Sequence, residues 1–262
     1  MSKQINMKNK NNTSTTEFNQ PKLEDNLDHW RYFDGYSRWM FSKFQDYIGK
    51  EVLDIGAGIG RNIPFYIEQC DKVVATDVFE SQIETMKKEF GHYKQFEAAY
   101  LDIMNGSLEN YAGKFDTILC INVIEHLPDD LKAVERMAEC LRPGGHLIIL
   151  APAMSWLYCY MDKNVGHYRR YVRGRMRLLA QANGLKVNKN GYFNFFGMLP
   201  YYIKGKLCHQ SDKSFSQTID EKSGKLINIL SGILAPIEKI VPPPAGIAEY
   251  IVMEKGGEYR KD

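Results

Sequence analysis

A glycine-rich loop directly after a short apolar segment constrains the fold of this chain more than any other feature. The segment Glu51–Ile55 has the composition of a buried strand, and glycines follow at three alternate positions, Gly56, Gly58 and Gly60. Glycine permits a tight turn and lets the backbone approach a ligand closely. An ordinary turn between a strand and a helix is the simpler interpretation, but the order of strand, glycines and helix favours a ligand-binding loop.

The spacing of these glycines separates two classes of cofactor. A dinucleotide-binding fingerprint has its third glycine three residues after the second. In this chain that position is Arg61, whose side chain would crowd the contact between the helix and the strand. The spacing therefore disfavours NAD or FAD, and an NAD(P)-dependent oxidoreductase of Rossmann type stays open as an alternative function.

Apolar strands and amphipathic helices alternate after this loop. Strands are predicted over residues 51–55, 72–76, 96–100, 115–121 and 146–151, and a helix is predicted over 62–69. Apolar residues at helical spacing predict two more helices, one with Phe79, Ile83, Met86 and Phe90, the other with Leu131, Val134, Met137 and Leu141 behind a cap at Asp129 or Asp130. This alternation is typical of a parallel sheet with helices on both faces, which binds ligands at the carboxyl ends of its strands.

The alternation ends after Pro152, and the remaining chain is expected to complete the sheet and to cover the ligand. Strands predicted over 185–196 and 246–254 bring the total to seven. We therefore predict a doubly wound, Rossmann-like, mainly parallel α/β sheet with a helical and aromatic cap. The expected parts are a disordered tail (1–20), an N-terminal helical cover (21–50), the ligand-binding core (51–151) and a C-terminal part that completes the sheet and caps the substrate (152–262).

Composition excludes several classes of function. The formal net charge is +2, so no strong overall field favours nucleic acid as a partner. Five scattered cysteines without a CxxC pair predict free thiols in a reducing compartment, not a disulfide framework or a metal site. Since the N-terminus has no apolar signal core and no apolar run approaches about 20 residues, a cytoplasmic protein without a transmembrane segment is expected.

Five segments in order carry a resemblance to a known family. They are Val52 to Gly60, Val73 to Asp77, Tyr100 to Ile103, Cys120 to Leu127 and Leu141 to Leu147. In this order they resemble the motifs of the class I S-adenosylmethionine-dependent methyltransferases. The resemblance implies S-adenosylmethionine as cofactor and methyl transfer to a small or medium-sized acceptor, such as a metabolite, a natural product, a peptide or a glycolipid-type intermediate. A non-catalytic module that only binds S-adenosylmethionine is a second alternative.

The resemblance also implies roles for individual residues. Asp77, with Val78 beside it, would accept the ribose hydroxyls, although a carboxylate there also suits a helix cap. Asp102 and Ile103 would contact adenine, and Asn122 and Val123 would lie beside the methionine amino group. The loop residues Asp54, Gly56, Ala57, Gly58 and Gly60 would line the amino-acid end of the cofactor. Tyr36 and Arg38 are expected to cover its carboxylate, with simple packing as the other interpretation of Tyr36.

The segment after the fifth strand supplies the candidates for the acceptor side. Residues 166–171 resemble a Gly-His-aromatic-Arg-Arg-Tyr segment in one branch of the same superfamily. Histidine is the side chain best suited to take up a proton at neutral pH, so His167, together with Tyr168, forms the catalytic prediction. The predicted substrate-binding residues are Asp162, Arg169, Arg170, Tyr171, Tyr192 and Asn194. Lys204 and Lys206 beside an aromatic run also allow shallow contact with a membrane, while oligomeric state stays open.

Overall fold

A computed structural model describes residues 34–207 and 221–257, with the backbone alone for residues 221–223. The expected disordered tail at 1–20, most of the cover up to residue 33, and Cys208 lie outside the described residues. Within the described chain, seven strands form one sheet in the order β3-β2-β1-β4-β5-β7-β6. The predicted Rossmann-like sheet is therefore confirmed.

The sheet is parallel except at the edge that is formed by β7 and β6. They are β1 Glu51–Ile55, β2 Lys72–Asp77, β3 Phe96–Tyr100, β4 Phe115–Ile121, β5 Leu141–Pro152, β6 Leu185–Phe193 and β7 Ala248–Lys255. Strands β1 to β5 run parallel, while β7 runs antiparallel to both β5 and β6. Because β1 and β4 are adjacent and chain connections leave them in opposite directions, a crevice forms at their carboxyl ends, where such sheets bind ligands.

Helices cover both faces of this sheet. They are α1 Asp34–Phe41, α2 Glu80–Phe90, α3 Asp130–Cys140, α4 Tyr160–Asn164, α5 Arg175–Ala182, α6 Met198–Tyr202 and α7 Glu221–Ile240. The predicted cap of α3 is confirmed, since the Asp129 side chain accepts a hydrogen bond from the Lys132 backbone N–H. Leu131 was expected on the buried face of α3, but it is 44% exposed because it lies in the first turn, beyond the edge of the core.

The predicted helix over 62–69 is wrong. Two single 3₁₀ turns, Ile63–Phe65 and Ile67–Gln69, replace it. Between them the backbone of Tyr66 leaves the helical region at φ −141°, and its hydroxyl donates a 2.6 Å hydrogen bond to Asp54. A tertiary contact thus overrides the local helical pattern.

Two strand boundaries also differ from the prediction. Strand β5 begins at Leu141 instead of residue 146, so it includes the Pro143-Gly144-Gly145 segment. This segment bulges between two pairs of the ladder, because Phe115 of β4 pairs with Leu141 and Thr117 pairs with His146. Strand β6 ends at Phe193 because Asn194 takes a left-handed φ of 59°, which no strand continues.

The N-terminal cover and the long C-terminal helix support one another. Helix α1 packs against α7, and the Gly35 N–H donates to the Asn228 side chain at 3.0 Å. Behind α1, the buried Lys43 forms a 3.1 Å ion pair with Glu238 of α7. No helix among the described residues is long and apolar enough to cross a membrane.

Candidate active site

The glycine loop takes a backbone conformation that side chains disfavour at three alternate positions. Gly56, Gly58 and Gly60 have φ values of 66°, 62° and 80°. A Cβ built on Gly56 would lie 2.6 Å from a methyl group of Val123, so the loop from β1 and the loop from β4 touch here. The bare backbone of this loop is the kind of cradle that a ligand's polar end requires.

Asp54 lies at the base of this cradle and is buried. Its Oδ2 accepts a hydrogen bond from the Tyr66 hydroxyl at 2.6 Å. Burial raises the pKa of Asp54 to about 7, although the hydrogen bond from Tyr66 acts in the opposite direction. The sequence predicted a cofactor role for Asp54, whereas the structure gives its carboxyl a protein partner that no sequence signal indicated.

Asp77 ends β2 directly beside the glycine loop. One carboxylate oxygen accepts from the Gly58 N–H at 2.9 Å, and the other accepts from the N–H groups of Val78 and Phe79 at 2.7 and 3.0 Å. Burial raises the pKa of Asp77, and the three backbone hydrogen bonds lower it in part. Asp77 therefore fixes the glycine loop and the turn that leads into α2. The helix cap that the sequence allowed is not formed, because no side chain bonds at the N-cap of α2, Phe79.

The remaining predicted cofactor residues lie on the loops after β3 and β4. Asp102 accepts from the backbone of Met104 and from Asn105, so its side chain stabilises its own turn. The Ile103 side chain is buried in the core. Asn122 has a left-handed φ of 55° and keeps its side chain exposed at the end of β4.

Tyr36 and Arg38 differ in their surroundings, since Tyr36 is packed among aromatic rings and Arg38 is exposed. The Tyr36 ring packs edge-on against Trp39 and Phe193, its hydroxyl bonds to the Asn194 side chain, and burial raises its pKa to about 12. Arg38 is exposed, with its guanidinium 5.9 Å from the centre of the Phe65 ring. The structure thus joins Tyr36 to Asn194, a pairing that sequence spacing did not indicate.

Asp162 is the centre of a buried network after β5. Its Oδ1 lies 2.8 Å from Arg170 Nε and 3.0 Å from His167 Nδ1. Its Oδ2 accepts from the Tyr201 hydroxyl at 3.0 Å and from the Cys159 backbone N–H at 3.0 Å. Burial alone would raise the pKa of Asp162, but the hydrogen bond from His167 and the charge of Arg170 outweigh it and lower the pKa to about 2.

Glu125 and His126 approach this network from the loop after β4. Glu125 Oε1 lies 3.8 Å from His167 Nε2, and the Tyr168 N–H donates to the Glu125 carbonyl oxygen at 2.8 Å. The rings of His126 and His167 meet edge-on with centroids 4.7 Å apart. Burial raises the pKa of Glu125 to about 7, and burial also lowers the pKa of His126 to about 3.

The other predicted acceptor residues divide into exposed and buried groups. The Tyr168 ring is 45% exposed, and the Arg169 guanidinium lies 5.7 Å from its centre while donating to the Pro128 carbonyl. Tyr171 and Tyr192 are buried, Tyr171 within the main core cluster. The structure therefore brings Asp162, His167 and Arg170 together and places the two tyrosines in the protein interior.

Comparisons with known proteins agree with this architecture. Residues 53–147 match the family model described as a methyltransferase domain. A phosphoethanolamine N-methyltransferase of Triticum aestivum is 34% identical over 211 residues, which are 73% of this chain and 41% of that protein. A ubiquinone biosynthesis O-methyltransferase of Vibrio vulnificus strain YJ016 is 22% identical over 60% of this chain and 68% of its own length. The chain thus spans less than half of the wheat relative.

Solved structures show the same fold at low sequence identity. A SAM-dependent methyltransferase from Archaeoglobus fulgidus has a TM-score of 0.56 and 17% identity, with 87% of this chain and 98% of that chain covered. The chain therefore shares its overall fold with this protein.

Proposed function

Since the chain belongs to the class I S-adenosylmethionine-dependent methyltransferases, we propose that it transfers a methyl group from this cofactor to a small-molecule acceptor. S-adenosylmethionine supplies a methyl group on a sulfonium centre, and its transfer is an in-line displacement that leaves a neutral sulfide. Because the leaving group is neutral, no acid is needed to expel it. The protein mainly supplies alignment, which is worth up to about 7–11 kcal/mol.

The cofactor residues in this proposal line the carboxyl ends of β1, β2, β3 and β4. Gly56, Ala57, Gly58 and Gly60 would hold the amino-acid end through backbone groups, with Asn122 and Val123 opposite. Asp77 would accept the ribose hydroxyls, and Asp102 and Ile103 would contact adenine. One observation supports this assignment above all: three glycines in left-handed conformation leave the loop backbone bare, and the N–H of Gly58 among them donates to the Asp77 carboxylate.

Calorimetry tests the cofactor half of the proposal. Asp77→Ala should weaken S-adenosylmethionine binding by about 1–3 kcal/mol, since the ligand hydroxyls lose a charged partner. Asp71→Ala is the matched control, because Asp71 is exposed at the start of the same strand. The Asp77 variant must first show a cooperative thermal transition, as its carboxylate also bonds to the glycine loop and to the turn before α2. Equal affinity in the two variants would remove Asp77 from the site.

The acceptor side of the proposal uses the network after β5. An acceptor whose nucleophile carries a proton needs a base, and general-base catalysis raises the reaction rate about 10²–10⁴-fold. The carboxylate of Asp162 accepts only, so it keeps the proton of His167 on Nδ1 and leaves Nε2 free to accept another. Tyr168 and Arg169 flank this histidine on the exposed side.

Turnover measurements test this half separately. His167→Ala should lower turnover while S-adenosylmethionine binding stays intact. His92→Ala is the control, because His92 is exposed and distant in sequence from the site. Unchanged turnover in the His167 variant would make this residue structural. Cofactor binding without methyl transfer to any acceptor in an extract screen would favour the non-catalytic binding module instead.

We also propose that the cap rests on an anionic membrane surface, which suits an acceptor with an apolar portion. Among the described residues, one face of α7 is exposed and aliphatic: Leu226, Ile229, Ile233, Ile237 and Ile240 are 47–81% exposed at helical spacing. Lys206 is exposed on the turn after α6, and Lys239 is exposed on α7. The double variant Ile229→Asp/Ile233→Asp should remain in the supernatant when the wild type sediments with anionic vesicles. A wild type that never sediments would remove this proposal.

A further inference from the structure

We propose that Glu125, His126 and His167 bind one divalent transition-metal ion. Their ligand atoms all lie within 4.8 Å of one another, although two of the residues follow β4 and the third follows β5. The scattered cysteines gave no metal prediction, but this cluster contains none of them. The contacts of all three residues support the site.

Glu125 is the first residue whose contacts indicate a bound cation. Its side chain is fully buried, yet no other described residue donates a hydrogen bond to either carboxylate oxygen. An unpaired buried carboxylate is costly, and natural proteins keep such groups when they bind a ligand or a metal. A cation between Glu125 and the two histidines would satisfy these oxygens.

The space between Glu125 and His167 also fits a metal ion. Since Asp162 keeps the proton of His167 on Nδ1, the lone pair of Nε2 faces the Glu125 carboxylate across 3.8 Å. That distance is too long for a shared proton. A metal ion with ligand distances of about 2.0–2.2 Å can bridge two atoms that are up to about 4 Å apart.

The hydrogen-bond partners of the two histidines also suit metal ligands. A histidine that binds a metal nearly always donates its other ring N–H to a carboxylate or a backbone carbonyl. His167 has the buried carboxylate of Asp162 as this partner. His126 has a hydrogen bond with the Gly166 backbone. Both rings are thus held in orientations that metal ligands require.

The ligand set selects the class of ion. Two imidazoles and one carboxylate suit Zn²⁺, with Fe²⁺ and Mn²⁺ as less specific occupants, and three protein ligands leave a fourth position open. The His167 side chain is 13% exposed, so solvent reaches the His167 edge of this cluster. If the proposed function holds, an acceptor hydroxyl in that position would ionise near neutral pH, its proton passing to solvent. A bound ion occupies the His167 lone pair, so metal and base roles exclude each other.

Metal content tests the site directly. Equilibrium dialysis of the full chain against Zn²⁺ should give one ion per chain. Glu125→Gln and His126→Gln should each weaken Zn²⁺ binding at least 100-fold, since each removes one of three ligands. His92→Gln is the control and should bind as the wild type does, because His92 is exposed outside the cluster.

A second measurement keeps the test valid if a buried variant fails to fold. Co²⁺ added to the wild type should give the visible absorption of a four-coordinate site, and equimolar Zn²⁺ should abolish it. Wild-type protein that binds less than one fifth of an equivalent of Zn²⁺, or that binds Co²⁺ without such bands, would overturn the proposal. Calorimetry with S-adenosylmethionine distinguishes the two failures: intact cofactor binding without metal binding leaves the proposed function standing.

Discussion

The pKa values of two buried carboxyl groups are shifted in opposite directions. These groups are Asp54 in the core sheet and Asp162 in the segment after β5. Both side chains are at most 3% exposed. Burial raises the pKa of Asp54 to about 7, since its one side-chain partner is a neutral phenol. Asp162 is buried to a similar degree, but the hydrogen bond from His167 and the charge of Arg170 lower its pKa to about 2. The partners of a buried carboxyl group therefore decide its charge more than burial does.

This difference separates the two halves of the proposed site. The cofactor half is built from backbone, with glycines and β strands as its main components, and its buried carboxyl is easily neutralised. The acceptor half is built from charged side chains that depend on one another. Substitutions in the acceptor half should therefore disturb electrostatics, whereas substitutions in the cofactor half should disturb backbone geometry.

The largest effect is expected from Asp162→Asn. The amide cannot pair with the buried Arg170, and a buried cation without its partner costs about 3–5 kcal/mol. Denaturant unfolding at pH 7 should show this loss. The folded-state pKa of Asp162 lies below the unfolded value of about 3.9, so its contribution is present above that pH and disappears as the pH falls through about 2. The gap between variant and wild type should therefore close in strong acid.

A double-mutant cycle supplies the control. Arg170→Met in the Asp162→Asn background removes the unpaired cation and should recover part of the lost stability. If the double variant is as unstable as the sum of the single variants, the two residues do not act as a pair, and the contrast with Asp54 loses its basis.

For Asp54→Asn, the stability relative to the wild type should change with pH in the opposite direction, and the change should be somewhat smaller. The folded pKa of Asp54 is raised, so its contribution is present below the unfolded pKa of about 3.9 and disappears as the pH rises through about 7. The difference of about three between the folded and unfolded pKa of Asp54 corresponds to about 4 kcal/mol of stability. We expect a change of about 3 kcal/mol. Relative to the wild type, Asp54→Asn should therefore gain stability between pH 4.5 and pH 8. A stability difference that does not change over this range would show that Asp54 is ionised throughout.

Sequence patterns predicted the backbone of the proposed cofactor half because its signals are local. Glycines at alternate positions after an apolar strand need left-handed backbone, and Gly56, Gly58 and Gly60 all have it. The strand periods and the Asp129 cap are equally short-range features. The predicted helix over 62–69 was wrong because a single contact from Tyr66 to Asp54 decides that segment.

The acceptor half was less predictable because its contacts join distant parts of the chain. The sequence indicated Asp162, His167 and Arg170 as one segment, but Tyr201 reaches Asp162 from 39 residues away. The approach of Glu125 to His167 likewise depends on how two loops meet. No local pattern encodes either contact, since both arise from the packing of complete elements.

The smallest effect sharpens the claim that the cofactor half depends on backbone. Gly60 and Gly113 both have left-handed φ, 80° and 65°, so alanine should cost each about 1–2 kcal/mol. A Cβ on Gly60 would lie 2.5 Å from the Phe90 ring and 2.8 Å from Ile63, whereas a Cβ on Gly113 meets nothing within 4 Å. Overpacking should therefore make Gly60→Ala about 1–3 kcal/mol less stable than Gly113→Ala in urea unfolding. Equal stability of the two variants would mean that the loop relaxes freely, and the tight contact between the glycine loop and α2 would not constrain the cofactor half.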